Sequence, residues 1–136
     1  MEEQFATYEI ALKLKELGFD EDCSAVFYQG KFMNGHIEPH VWYLVNSIST
    51  NSDCNSLDIV TAPLWQQVID WFREKYNIHI YIDFYDGLYG FAIKLNKEKL
   101  YNRCGSFEPG FKNYPEAREQ AILKAIELIK KQNGTN

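Results

Sequence analysis

One stretch constrains this chain more than any other. Residues 78–95 read IHIYIDFY, then Asp86-Gly87, then LYGFAIKL. Alternating apolar residues on both sides of an Asp-Gly pair mark two strands joined by a type I′ turn. A two-residue loop fixes the pairing. Tyr85 opposes Leu88, Phe84 opposes Tyr89, Asp83 opposes Gly90, Ile82 opposes Phe91, Ile80 opposes Ile93 and His79 opposes Lys94. Successive side chains point to opposite faces of a strand. One face therefore carries Ile78, Ile80, Ile82, Phe84, Tyr89, Phe91, Ile93 and Leu95, and is expected in the core. The other carries His79, Tyr81, Asp83, Tyr85, Leu88, Gly90, Ala92 and Lys94, a mixed set.

Three helices surround this hairpin in sequence. Residues 5–17 place Tyr8, Ala11, Leu12, Ile10, Leu14 and Leu17 at helical spacing, with Thr7 as N-cap and Gly18 just past the end. Pro63 suits the first turn of a second helix, whose apolar arc is Leu64, Trp65, Val68, Ile69, Trp71 and Phe72, ending at Asn77. Asn113 or Tyr114 opens the third, where Ala117, Ala121, Ile122, Ala125, Leu128 and Ile129 recur every three or four residues.

Between the first two helices, residues 24–29 and 40–45 read as strands. The turn between them is expected within Gly30–Gly35, with Asn34-Gly35 its strongest signal. Residues 46–58 are polar and read as a surface loop. Residues 99–104 add a candidate fifth strand. The order is α-β-β-α-β-β-(β)-α. Hairpins between helices predict an α+β domain over residues 1–131, with three helices on an antiparallel sheet of four or five strands and a disordered tail at 132–136. A crossover after the first hairpin would make the sheet mixed. A length of 136 residues fits one domain.

Charge narrows the function classes. With 14 Lys and Arg against 19 Asp and Glu, the net charge is −5. Such a chain repels a phosphate backbone overall, unless a local patch overrides the bulk. Residues 94–112 supply a patch of that kind in Lys94, Lys97, Lys99, Arg103 and Lys112. No apolar run approaches the ~20 residues of a membrane span. The acidic start lacks the basic residues of a signal peptide. Cys23, Cys54 and Cys104 are widely spaced, with no CxxC pair. A cytoplasmic protein with reduced thiols and no cofactor is the expectation.

No catalytic motif stands out. His36 and His40 have zinc-ligand spacing, but Gly35 and Pro39 oppose the helix that spacing needs. Cys54, His79 and Asp83 are the residue types of a thiol nucleophile, its base and an orienter. On one strand, however, His79 and Asp83 stand roughly 13 Å apart. A cysteine or histidine enzyme is the weakest alternative. The mixed hairpin face carries more weight. His79, Tyr81, Asp83, Tyr85 and Lys94, with Tyr101 nearby, would form an amphipathic tyrosine surface of the kind favoured at interfaces.

Three segments carry a resemblance: TYEIALKLKELGFDE (7–21), NSLDIVTAPLWQQVIDWFREKYNIHIYI (55–82) and YPEAREQAILKAIELI (114–129). They resemble small proteins from phages and prophages of Bacteroides-type gut bacteria. The resemblance implies a mobile-element accessory protein in a bacterial cytoplasm and brings no catalytic residue with it. The function expected is therefore non-enzymatic, through contacts with a protein partner or a second copy of the chain. Nucleic-acid binding through Lys94, Lys97, Lys99 and Arg103 is the alternative.

Overall fold

The structure is a computed structural model that describes residues 2–33, 49–53, 58–95, 98–103 and 110–132. The α+β class read from the sequence is the class found. The strands, however, form two three-stranded antiparallel sheets where one sheet was expected. The chain packs as two compact units, Met1–Val68 and Ile69–Asn136.

In the first unit, α1 spans Tyr8–Glu16. Thr7 is extended, and its Oγ1 accepts from the Ile10 N–H at 3.4 Å. The helix ends in a Schellman motif. The Gly18 N–H reaches the Lys15 carbonyl and the Phe19 N–H the Leu14 carbonyl, at 3.1 and 2.9 Å. Gly18 takes φ 94°, which that motif requires and which only glycine adopts freely. Phe19 is then buried. Both ends are those read from the sequence.

Strands β1 (Ala25–Tyr28) and β2 (Lys31–Met33) form a hairpin. Its turn is Gln29-Gly30, with φ values of 52° and 80°. Asn34-Gly35 and the expected strand 40–45 lie outside the described residues. A strand not anticipated, β3 (Ile59–Ala62), pairs antiparallel with β1 on its other side. All four of its residues are buried. The β-branched run Ile59-Val60-Thr61 suits a pleated buried strand.

Helix α1 packs on β3. Phe5, Ala11, Ala25, Phe27, Val60 and Ala62 form the core between them. Rings knit it together, with Tyr8 edge-on to Phe27 at 5.5 Å and Phe5 against Phe32 at 5.0 Å.

Helix α2 spans Trp65–Tyr76, and the boundary between the units falls within it. The Trp65 Nε1–H donates to the Glu3 carbonyl at 2.9 Å. Asn77 ends the helix at φ 56°.

The second unit is a meander of β4 (Ile78–Tyr85), β5 (Leu88–Leu95) and β6 (Glu98–Arg103), in the order β4-β5-β6. The β4–β5 register is the one the Asp-Gly turn predicts, residue for residue. Helix α3 (Tyr114–Gln132) packs against β4 and β5. The Asn113 Oδ1 caps it by accepting from the Glu116 N–H at 2.9 Å. Its buried face is Ala117, Ala121, Ile122, Ala125, Ile126 and Ile129. Ile126 takes the place expected for Leu128, which is half-buried.

Candidate functional site

The β4–β5 hairpin presents two unequal faces. Asp86 and Gly87 take φ 53° and 80°, the left-handed pair a type I′ turn needs. Below the turn, the two eight-residue strands extend about 27 Å. Helix α3 covers only part of that length. Ile78, Phe91 and Ile93 are buried as expected. Tyr114, the first residue of α3, lies edge-on to Tyr89 at 5.9 Å. Phe84, across from Tyr89 on the edge strand, sits at the rim of that cover with 64% of its surface exposed. Alternation assigned Phe84 to the core; position along the strand overrides it.

The opposite face gathers five of the predicted residues. His79 stacks on Tyr81 with ring centroids 6.5 Å apart. The Lys94 Nζ lies 5.3 Å from the Tyr81 ring centroid. Gly90 and Ala92 are buried, so the larger side chains stand proud of them. Tyr81 and Tyr85 are 48% and 70% exposed, and Leu88, next to the turn, 38%. Asp83 and Asp86 are exposed beside them.

Tyr101 does not join this face. A register shift between Ile93 and Lys94 sets β6 against β5 so that Tyr101 pairs with Ile93. Directly paired residues share a face. Tyr101 thus stacks on Phe91 at 5.5 Å, and the Lys124 Nζ lies 4.6 Å from its ring. Phe91, Tyr101, Gln120, Leu123, Lys124 and Glu127 line a cleft there of about 120 Å³. Small-molecule sites start near ~300 Å³.

The basic stretch does not converge on one spot. The register pairs Lys99 with Lys94 but Arg103 with Phe91, positions on opposite faces of β5. Lys97 lies outside the described residues, as do Cys54, His36 and His40. His79 has the Asn77 Oδ1 at 3.2 Å from its Nε2. Among the described residues, no group of three or more His, Cys, Asp or Glu could hold a metal ion. Cys23 is buried, and burial pushes its thiol up to about 11. It donates to the Glu21 carbonyl at 3.5 Å and is not a poised thiolate.

The sequence pattern missed Phe84 and underweighted Leu88. Their closeness to the Asp-Gly turn was the available signal, because a helix rarely covers a hairpin to its tip. No protein-family model, no curated protein and no solved structure matches the chain. No described helix is long and apolar enough to cross a membrane.

Proposed function

We propose that this is a non-catalytic accessory protein that works through protein–protein contacts made by the β4–β5 hairpin. The supporting observation is the exposure of Tyr81, Tyr85 and Leu88 on one face of the hairpin near its turn, with Phe84 exposed on the other face. Scattered exposed apolar residues are ordinary; a contiguous group marks an interaction surface. Tyrosine and phenylalanine bring large contact area at little entropic cost. A mobile-element origin and a bacterial cytoplasmic setting belong to the same proposal, from the segment resemblance.

The basic-stretch alternative has less support. Lys94 is engaged with Tyr81, and Arg103 occupies a position on the other side of the sheet.

Cross-linking mass spectrometry in bacterial extract tests the proposal. Wild type is compared with a Phe84→Ser, Tyr85→Ser double variant of unchanged thermal stability. Cross-links should map to 78–95, and titration with the partner so identified should show at least tenfold weaker binding by the variant. Equal affinity, or cross-links confined to other regions, contradicts it.

A further inference from the structure

The direction of β4's free hydrogen-bonding groups follows from Tyr89. The Tyr89 N–H donates to the Phe111 carbonyl at 2.8 Å, and the Phe111 N–H donates back to the Tyr89 carbonyl at 2.7 Å. Tyr89 therefore has no backbone bond left for Phe84, its partner on β4. In an antiparallel ladder, pairs that exchange hydrogen bonds alternate with pairs that do not. So His79, Tyr81, Asp83 and Tyr85 bond to β5. Ile80, Ile82 and Phe84 aim their N–H and C=O groups at the outer side of β4, which is the edge of its sheet among the described strands; Ile78 is in the same phase but is fully buried.

Natural edge strands are guarded by lysine, proline, bulges or short length. The opposite edge, β6, carries Lys99 and Arg103 and has the register shift. β4 has none of these guards, its one carboxylate being Asp83. It runs eight residues with no Lys, Arg or Pro, and its pairing with β5 is regular throughout. Such an edge is a template for another strand.

We propose that the strand it receives is β4 of a second copy, paired antiparallel with Tyr81 on the two-fold axis. The proposal rests on the reading of the hairpin as a protein-binding element and names its partner. Outward groups must meet outward groups, which leaves two registers of long overlap. With Tyr81 on the axis, Ile80 bonds to Ile82 of the partner subunit, and symmetry doubles this to two hydrogen-bonded pairs; buried Ile78 adds none. His79 then faces Asp83 of the partner subunit, again twice, at the close positions flanking those pairs. Imidazole N–H groups thus meet carboxylates on both sides of the axis. With Ile82 on the axis, Ile82 pairs with Ile82 of the partner subunit and Ile80 with Phe84 of the partner subunit, twice, and Asp83 faces Tyr81 of the partner subunit. The second register has one more bonded pair; the first sets an imidazole donor against each carboxylate, and that side-chain match selects it.

The association should be concentration-dependent. Tyr81, Phe84 and Tyr85 are 48%, 64% and 70% exposed. At about 150–250 Å² per full aromatic side chain, they offer roughly 300–450 Å². A stable interface takes about 800 Å² per partner.

Disulfide trapping tests the register in a background carrying Cys23→Ala, Cys54→Ser and Cys104→Ser. Across the axis the two Tyr81 positions form a non-hydrogen-bonded pair with Cα atoms about 4.5 Å apart, within disulfide reach. The two Tyr85 positions would be roughly 27 Å apart. Oxidised Tyr81→Cys should give at least tenfold more covalent dimer than Tyr85→Cys. Light scattering of wild type should move from 15.9 kDa towards twice that mass at high concentration. His79→Asp should weaken dimerisation at least tenfold, and His79→Asp with Asp83→His should restore it. Equal trapping at the two positions, or a monomer at every concentration, overturns the proposal. If the monomer still binds another protein in a manner lost with Phe84→Ser and Tyr85→Ser, the hairpin reading stands and only its partner changes.

Discussion

The Lys94 Nζ lies 5.3 Å from the centre of the Tyr81 ring, across one face of the β4–β5 hairpin. The His79 imidazole lies nearly parallel to the same ring, with centroids 6.5 Å apart. An exposed ammonium–ring contact is worth about 0.5–1 kcal/mol. A double-mutant cycle of Tyr81→Ala and Lys94→Gln should return a coupling energy in that range by urea unfolding. A coupling indistinguishable from zero would show the ring to be free.

Asn51 is the buried polar clamp of the first unit. Its Nδ2 donates to the Phe19 carbonyl at 2.8 Å, and its Oδ1 accepts from the Thr61 N–H at 3.0 Å. It ties the end of the α1 motif to β3. Asn51→Ala leaves a buried carbonyl and a buried N–H without partners, each costing about 1–3 kcal/mol. A loss of at least ~2 kcal/mol in urea unfolding is expected. A change within ordinary surface scatter would remove Asn51 from this role.

Gly110 is required by proximity. A Cβ there would meet the Tyr89 carbonyl oxygen and the Leu88 Cβ, each at 2.8 Å. Backbone cannot give way cheaply, so Gly110→Ala should cost about 1–3 kcal/mol, as overpacking does. The Phe111 amide, bonded to Tyr89, should lose hydrogen-exchange protection at the same time. Unchanged protection would place the strain elsewhere.

Burial raises the Cys23 thiol from its ordinary value of 9.0 to about 11. The unfolded chain releases this proton first. Between pH 9 and 11 the unfolded state therefore binds fewer protons, and stability falls as pH rises. Below pH 9 both states hold the proton and the effect vanishes. Relative to Cys23→Ala, wild type should lose stability across pH 9–11 and not below. Alkylation of Cys23 at pH 8 should be slow until the protein unfolds. Fast labelling of the native protein, mapped by peptide mass, counts against this.

How far the sequence reached depends on how local each signal is. The hairpin register was legible because Asp86-Gly87 specifies a turn by itself. Thr7, Gly18 and Asn77 were legible as helix ends for the same reason. The β1–β2 turn was not, because Gln29 at φ 52° has no sequence signature. Strand β3 has only four residues and abuts Pro63, so its identity comes from pairing with β1. The same turn signal puts His79, Tyr81, Asp83, Tyr85 and Lys94 on one hairpin face, and the observed register has them there. Tyr101 was misplaced because a register shift in the β5–β6 pairing leaves no mark on composition. Phe84 was misplaced because alternation says which way a side chain points, not whether a helix reaches it.

Amide hydrogen exchange in β4, measured at low and at high protein concentration, tests the hairpin as an association surface most directly. The Tyr81, Asp83 and Tyr85 amides, bonded to β5, should be protected at both concentrations. The Ile80 and Ile82 amides should exchange fast in dilute protein and at least tenfold more slowly when it is concentrated. Equally fast exchange of those two amides at both concentrations, with new protection appearing only outside residues 78–88, would contradict the account.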